Sequence, residues 1–499
     1  MKQKSQPLFL LRRPLVSVAT RKRSLVDALA SIVGPENVLH SPEDMVVFEY
    51  DASIGKHMPQ AAVFPATTDE VSRIVRLANE VGVPVVPRGA GTGLSGGAVA
   101  PKGGLVIVMT RMTRILEIDP VNRIAVVEPG VVNLKLSEQA AKHGLHYAPD
   151  PSSQKVCTIG GNVAENSGGP HCLAYGVTVN HVLGIEVVLP DGEVTWLGGM
   201  EQDRPGLDLT GVFVGSEGTL GIATQIVVKL MPNPQAVRTI VAVFEEMEQG
   251  SRVVSAVIAG GIVPAALEMI DALAIEAVTY NIDADYMKGA GAVLLIEVDG
   301  LKEAVLEEEA AVLEICRGLG AREIRVAESP EDREKLWAAR KGAFGALGRL
   351  APNYYILDGV VPRTKLSEVL VRVGDICERY GFRLANVFHA GDGNLHPCVA
   401  FDERVPGESE RVLEAGAEIM EVCVEVGGSI TGEHGVGLEK KKFMSLIFSP
   451  HDLAAMEKVK EAFGVTEAFN PCKILPGGAG CGDGWRLPNL PDLGPDTSW

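Results

Sequence analysis

The chain has 499 residues, 46% of them hydrophobic and 22% charged, enough to bury more than one core and to divide into two or three domains. Its 46 basic against 64 acidic residues give a formal charge of −18, which argues against a nucleic-acid partner and against a basic membrane-binding face on the body of the protein. Eight cysteines without a CxxC spacing support neither an iron–sulfur cluster nor a zinc ribbon and fit a reducing cytoplasm, and no run of about 18 apolar residues offers a membrane span.

Residues 1–24 carry Lys2, Lys4, Arg12, Arg13, Arg21, Lys22 and Arg23 with no acidic residue, and read as a frayed basic tail rather than a transit peptide. Val26–Val33 has a helical pattern. Thr67-Thr68-Asp69-Glu70 forms a capping box for a helix that puts Val71, Ile74, Val75, Ala78 and Val81 on one face. A strand at Val83–Val86, a glycine-rich loop, and strands at Leu105–Met109, Ile124–Glu128, Gly184–Leu189 and Ile222–Lys229 suggest an α/β unit over 25–233. It closes at Met231-Pro232-Asn233-Pro234. The pattern then restarts, with strands Thr239–Phe244 and Ala292–Val298 and helices Ser251–Ala259 and Glu303–Leu319, as a second α/β domain over 234–440. A helix at Asp452–Phe463 leads to Phe469-Asn470-Pro471 in a segment over 441–475, and 476–499 reads as a loosely ordered tail rich in Gly, Pro, Asp and Trp.

Three loops of the first unit expose backbone. Arg88-Gly89-Ala90-Gly91-Thr92-Gly93-Leu94-Ser95-Gly96-Gly97 contains a GxGxxG, yet only Ala98-Val99-Ala100 separate it from Pro101, so no helix opens on the last glycine as a nicotinamide fingerprint requires. Inward-turned N–H groups, helped by the Thr92 and Ser95 hydroxyls, would bind a phosphate instead; the alternative is a flexible connector. Pro151-Ser152-Ser153 with Thr158-Ile159-Gly160-Gly161-Asn162-Val163-Ala164-Glu165-Asn166-Ser167-Gly168-Gly169, and Gly215-Ser216-Glu217-Gly218-Thr219-Leu220-Gly221 before Ile222, are equally dense in small and hydrogen-bonding residues. Three such loops suit a large phosphate-containing cofactor lying across several strands.

Asn386-Val387-Phe388-His389-Ala390-Gly391-Asp392-Gly393-Asn394-Leu395-His396 reads as a hairpin around a Gly-Asp-Gly-Asn turn. With those four residues as the loop, Ala390 pairs with Leu395 and His389 faces His396 across the ladder at about 5 Å. Two imidazoles so placed suit a divalent ion that needs a third ligand. Gly432-Glu433-His434-Gly435 offers a carboxylate and an imidazole side by side, one to ligate and the other to stay free as a base.

These motifs together resemble the FAD-linked oxidase family of the vanillyl-alcohol-oxidase type over residues 25–475, and within it the branch of bacterial glycolate oxidase D subunits and D-lactate and D-2-hydroxyglutarate dehydrogenases. The resemblance implies an α+β protein: a two-part FAD-binding domain, a substrate (cap) domain with an antiparallel sheet, and a C-terminal segment returning to the flavin domain. It implies tight noncovalent FAD held by Arg88 to Ser95, Pro151 to Ser153, Thr158, Gly160 to Asn162, Asn166, Gly168, Gly169, Glu217, Gly218, Gly221, Ile222 and Asn470. His171 keeps covalent attachment open. A divalent metal (zinc, manganese or iron) would sit on His389, His396 and Glu433, with His434 as general base, Arg340 on the substrate carboxylate and Asn394 on substrate or flavin edge. The implied activity is oxidation of a small 2-hydroxy acid, glycolate or D-lactate, with D-2-hydroxyglutarate or a noncatalytic FAD-holding role as alternatives. Implied partners are a flavoprotein-like and an iron–sulfur subunit that carry electrons toward quinone, placing the chain in the cytoplasm or peripheral to the inner membrane through them. Cys472 stands where relatives usually have glycine.

Overall fold

A computed structural model describes residues 18–201, 205–280, 284–464 and 468–477; the expectations for 1–17 and 478–499 lie outside the described residues. The first helix, Val18–Val33, begins inside the stretch read as tail. Its Leu25, Leu29 and Val33 pack on Val71, Ile74, Val75 and Ala78 of helix Thr68–Val81. Thr67 caps that helix by accepting from Glu70 N, and Glu70 reaches back to Ala66 N. The strand expected at Val83 starts at Val85, because Val83 N is still bonded to Ala78 O in the helix C-cap. Val85–Arg88, Leu105–Val108 and Ala61–Val63 run parallel in a four-stranded sheet completed by Val38–Leu39.

The second sheet departs from an α/β pattern. Its order is Ile115–Asp119, Ile124–Val127, Ile222–Lys229, Val182–Val188, Val194–Gly198, and every pairing is antiparallel. The third sheet takes over after Met231–Pro232. Glu323–Val326, Ala236–Phe244, Ala292–Gly300, Ala266–Asp271, Arg383–His389, Asn394–Leu395 and Gly359–Val360 lie side by side, all antiparallel, with Asn353–Ile356 and Pro397–Phe401 joining from Arg383–His389. It is covered on both faces: Ile240, Ala242 and Phe244 belong to one core, Val241 and Val243 to another. Strand Ala266–Asp271, buried at all six positions, therefore has no polar alternation to betray it.

The C-terminal segment comes back to the first sheet. Val85 N donates to Ala468 O and Asn470 N to Val85 O, so residues 468–470 extend the sheet beside its edge strand. Cys472 has φ 70°, in the left-handed region where glycine would be unstrained, at a cost of about 1–2 kcal/mol.

Candidate active site

A cavity of about 320 Å³ runs along the three glycine-rich loops and ends at Phe344, Ile356, His396, Glu433 and His434. Residues 89–104 contain no helix, as the early proline dictates. Of the residues expected to touch cofactor, Arg88, Gly89, Ala90, Gly91, Thr92, Gly93, Leu94, Pro151, Ser152, Ser153, Thr158, Gly160, Gly161, Asn162, Gly168, Glu217, Gly218, Gly221 and Ile222 line the cavity. Ser95, Asn166, Gly169 and Asn470 do not. Ser95 bonds Glu165, Asn166 Oδ1 accepts from Val179 N, and Asn470 Nδ2 donates to Glu217 O. These brace the walls.

Close packing explains the glycines. A Cβ on Gly160 would lie 2.5 Å from Pro129 Cβ, and on Gly437, at φ 50°, 2.0 Å from Ser95 O. Lys473 Nζ donates to Val99 O at 2.6 Å and to Gly96 O, tying down the first loop, and burial pushes its pKa down to about 7. Glu217 accepts from Val436 N and Gly437 N, both at 2.6 Å, and so fastens the 432–437 loop to the cavity wall. Burial raises the Glu165 pKa well above its ordinary value, reinforced by Glu217 and Asp51. Asn162 lines the cavity 1% exposed, and among the described residues no group beyond the neighbouring Cys157 thiol engages its amide, which leaves polar atoms for a cofactor to satisfy. His171, by contrast, lies outside the cavity with Asp150 on Nδ1 and Glu297 on Nε2.

The hairpin turns one residue earlier than its sequence suggests. His389 pairs with Asn394 and Asn386 with Pro397, so Ala390-Gly391-Asp392-Gly393 form the loop. Only Gly393 takes positive φ, and Asp392 caps Asn394 N, which lets Asn394 begin the strand. The expected pairs Ala390–Leu395 and His389–His396 are thus corrected. Moving the loop by one residue shifts both arms together and keeps the face of each side chain, so the two histidines still share a face, as diagonal rather than directly opposed neighbours with rings 5.1 Å apart.

His389 Nε2 lies 3.1 Å and His396 Nε2 3.4 Å from Glu433 Oε1. Ligands about 2.1 Å from one tetrahedral ion would be separated by about 3.4 Å, so the three atoms fit a divalent cation. Among the described residues neither His396 nitrogen makes a close hydrogen bond, Nε2 lying 3.4 Å from Glu433 Oε1 and 3.6 Å from Asp358 Oδ1, as suits an unfilled ligand. Behind it, His389 Nδ1 meets Glu268 Oε1 at 2.8 Å, the carboxylate–histidine pairing that orients metal ligands. Burial would raise the pKa of Glu433, but His389, His396 and His434 bring it down to about 2. His434 stacks on His396 at 4.7 Å, and burial, aided by His396 and Lys440 against Asp358, pushes its pKa down to about 4. That direction favours the neutral imidazole near pH 7.

Two expected substrate contacts are otherwise engaged. Arg340 is buried and pairs with Glu268, its Nε 2.7 Å from Oε2; it does not line the cavity. Asn394 Nδ2 donates to Asp358 Oδ1 at 2.8 Å. Glu268 and Asp358 went unnoticed in the sequence, although each is a carboxylate inside an apolar run, which a fold tolerates only when it is paired. Phe344 and Ile356 carried no signal.

The C-terminal domain family of the FAD linked oxidases matches residues 233–474, and the FAD binding domain family matches 59–198. Glycolate oxidase subunit GlcD of Escherichia coli (strain K12) is 46% identical over 91% of both chains. That of Bacillus subtilis (strain 168) is 42% identical over 91% of this chain and 97% of its own. A D-lactate dehydrogenase of Archaeoglobus fulgidus is 34% identical over 91% and 99%. Among solved structures, p-cresol methylhydroxylase with substrate bound superposes with a TM-score of 0.78 at 18% identity, over 92% of this chain and 97% of that one, a likeness of fold alone.

Proposed function

The chain belongs to the FAD linked oxidases of the vanillyl-alcohol-oxidase type and is an FAD-dependent 2-hydroxy-acid oxidoreductase; from that premise we propose that it oxidises glycolate to glyoxylate, or D-lactate to pyruvate, with metal assistance. The observation that carries this reading is the convergence of His396, Glu433 and His434 on the far end of the flavin cavity, with His389 directly behind.

Bound FAD would accept hydride from the carbinol carbon, and a divalent cation on His389, His396 and Glu433 would lower the hydroxyl pKa and polarise the forming carbonyl. His434, whose Nε2 lies 3.8 Å from Glu433 Oε1, would take the hydroxyl proton. Arg340 works at one remove, holding Glu268 against His389. Phe344 and Ile356 exclude water at this end and offer no cation to a second carboxylate, which favours a small substrate over D-2-hydroxyglutarate.

The electrons then need an exit. The chain has no CxxC spacing for a cluster, and the bacterial relatives are named as subunits, so we assign the acceptor to partner subunits of a glycolate-oxidase-type complex that delivers toward quinone. No described helix is long and apolar enough to cross a membrane, so membrane association would run through those partners. The test is turnover of the purified chain with an artificial dye as acceptor. Glyoxylate formed from glycolate, or pyruvate from D-lactate, is expected; an FAD-loaded chain that turns over neither acid would point to a noncatalytic FAD-holding subunit.

A further inference from the structure

Asp358 lies between strands Asn353–Ile356 and Gly359–Val360, wholly buried, and its two oxygens receive six donors. Oδ1 accepts from Asn394 Nδ2 at 2.8 Å and Glu433 N at 3.3 Å. Oδ2 accepts from Thr431 Oγ1 at 2.5 Å, Gly432 N at 3.1 Å, His434 N at 3.0 Å and Lys440 Nζ at 2.9 Å. Three successive backbone N–H groups therefore point at one carboxylate, the arrangement by which a loop wraps an anion. Here the anion belongs to the protein.

This decides between two candidate ligand sets. Asp358, His396 and His434 also offer atoms within 4.8 Å of one another, but more widely spaced, with His396 Nε2 3.6 Å from Asp358 Oδ1 and His434 Nδ1 4.0 Å from Oδ2. Six donors use up the lone pairs of Asp358, whereas Glu433 Oε1 faces only imidazoles, whose nitrogens a cation would engage. Asp358 is unsuited to ligation and suited to shaping the loop on which Glu433 and His434 stand. Its position explains the rest of the cluster. Asn394 ties the hairpin bearing His389 and His396 to the same carboxylate, and Lys440 supplies the buried countercharge while also donating to Gly435 O at 3.0 Å.

We propose that Asp358 is a positioning residue: by gathering the amides of residues 432–434 and the Asn394 side chain on one buried carboxylate, it sets Glu433 and His434 in place before any cation binds. The proposal rests on the metal reading of the site, and its tests separate the two.

The first test uses the unaltered FAD-loaded protein, with hydrogen exchange read by mass spectrometry before and after chelation. Amides of 432–434 that stay protected about a hundredfold or more over an unstructured chain after chelation are expected. Exchange at unstructured rates once the cation is gone would overturn the proposal, since the cation and not Asp358 would then order the loop. The second test is Asp358→Asn with Lys440→Met, which removes the charge without stranding its partner. Flavin retained but a lower melting temperature is expected, because the Asn amide meets backbone donors that the carboxylate accepted from, with zinc or manganese affinity, titrated directly on the folded protein, weakened about 10- to 100-fold. Affinity within twofold of the parent in a folded double variant would count against Asp358. Parent protein that takes up no cation would sink the metal reading instead, leaving hydrogen exchange to decide this one.

Discussion

His171 joins the flavin-binding part to the cap, and replacing it by leucine should weaken that joint in a pH-dependent way. Its Nδ1 is 2.8 Å from Asp150 Oδ2, its Nε2 3.2 Å from Glu297 Oε1 on strand Ala292–Gly300, and its ring lies 5.7 Å from Trp337 on helix Pro330–Leu347. Burial alone would lower the imidazole pKa, but Asp150 and Glu297 outweigh it and raise it to about 10. Glu297 would keep Arg333, Trp337 and Thr239 as donors after the substitution, while Asp150, whose Oδ1 is already unpartnered, would lose its donor on Oδ2. One lost charge-assisted bond and one stranded carboxylate oxygen together cost about 2–4 kcal/mol. A raised folded-state pKa stabilises most when both states are protonated, below pH about 6.5, and the contribution fades as pH climbs through about 10. Urea unfolding of parent and His171→Leu at pH 6 and at pH 10 should therefore give a gap of about 2–4 kcal/mol at the lower pH and a much smaller one at the higher. An equal gap at both pH values would refute the charged-histidine account and leave packing as the explanation.

Gly437→Ala should lower the melting temperature and release FAD, because its Cβ would meet Ser95 O with φ at 50° and the loop carrying Glu433 must move; calorimetry and the flavin-to-protein ratio would show both. Asn162→Ala removes this amide from the cavity wall, so FAD retention after dialysis should fall about tenfold while the FAD-free protein melts within a few degrees of the parent. Glu268→Gln removes the buried counterion of Arg340 and the charge-assisted partner of His389 Nδ1; we expect about 3–5 kcal/mol of destabilisation and metal affinity down about 10- to 100-fold, measured by unfolding and by metal content.

The glycine-rich loops were legible because close approach of backbone leaves a dense trace of glycine and small polar residues, and most of those positions line the cavity. Helix Thr68–Val81 and strand Ile222–Lys229 were legible from capping and from strand-forming composition. Ala266–Asp271 was not, since a strand buried on both faces has no period of two, and with it went Glu268, the partner that takes Arg340 away from the cavity. The two histidines illustrate a middle case. The register was off by one residue on each arm, yet the face was right, because the alternation of side chains survives a shift that moves both arms together. What ordered the Glu433 loop lay beyond local pattern: Asp358 is more than 70 residues away in sequence and reveals itself only by the donors that surround it.

The most direct test of the central claim is anaerobic mixing of the FAD-loaded protein with glycolate, D-lactate, L-lactate or D-2-hydroxyglutarate, following the visible flavin absorbance before and after chelation. Rapid bleaching by glycolate or D-lactate that is lost on chelation and restored by added zinc or manganese is predicted. Bleaching that survives complete metal removal, or bound FAD that none of these acids reduces, would contradict it.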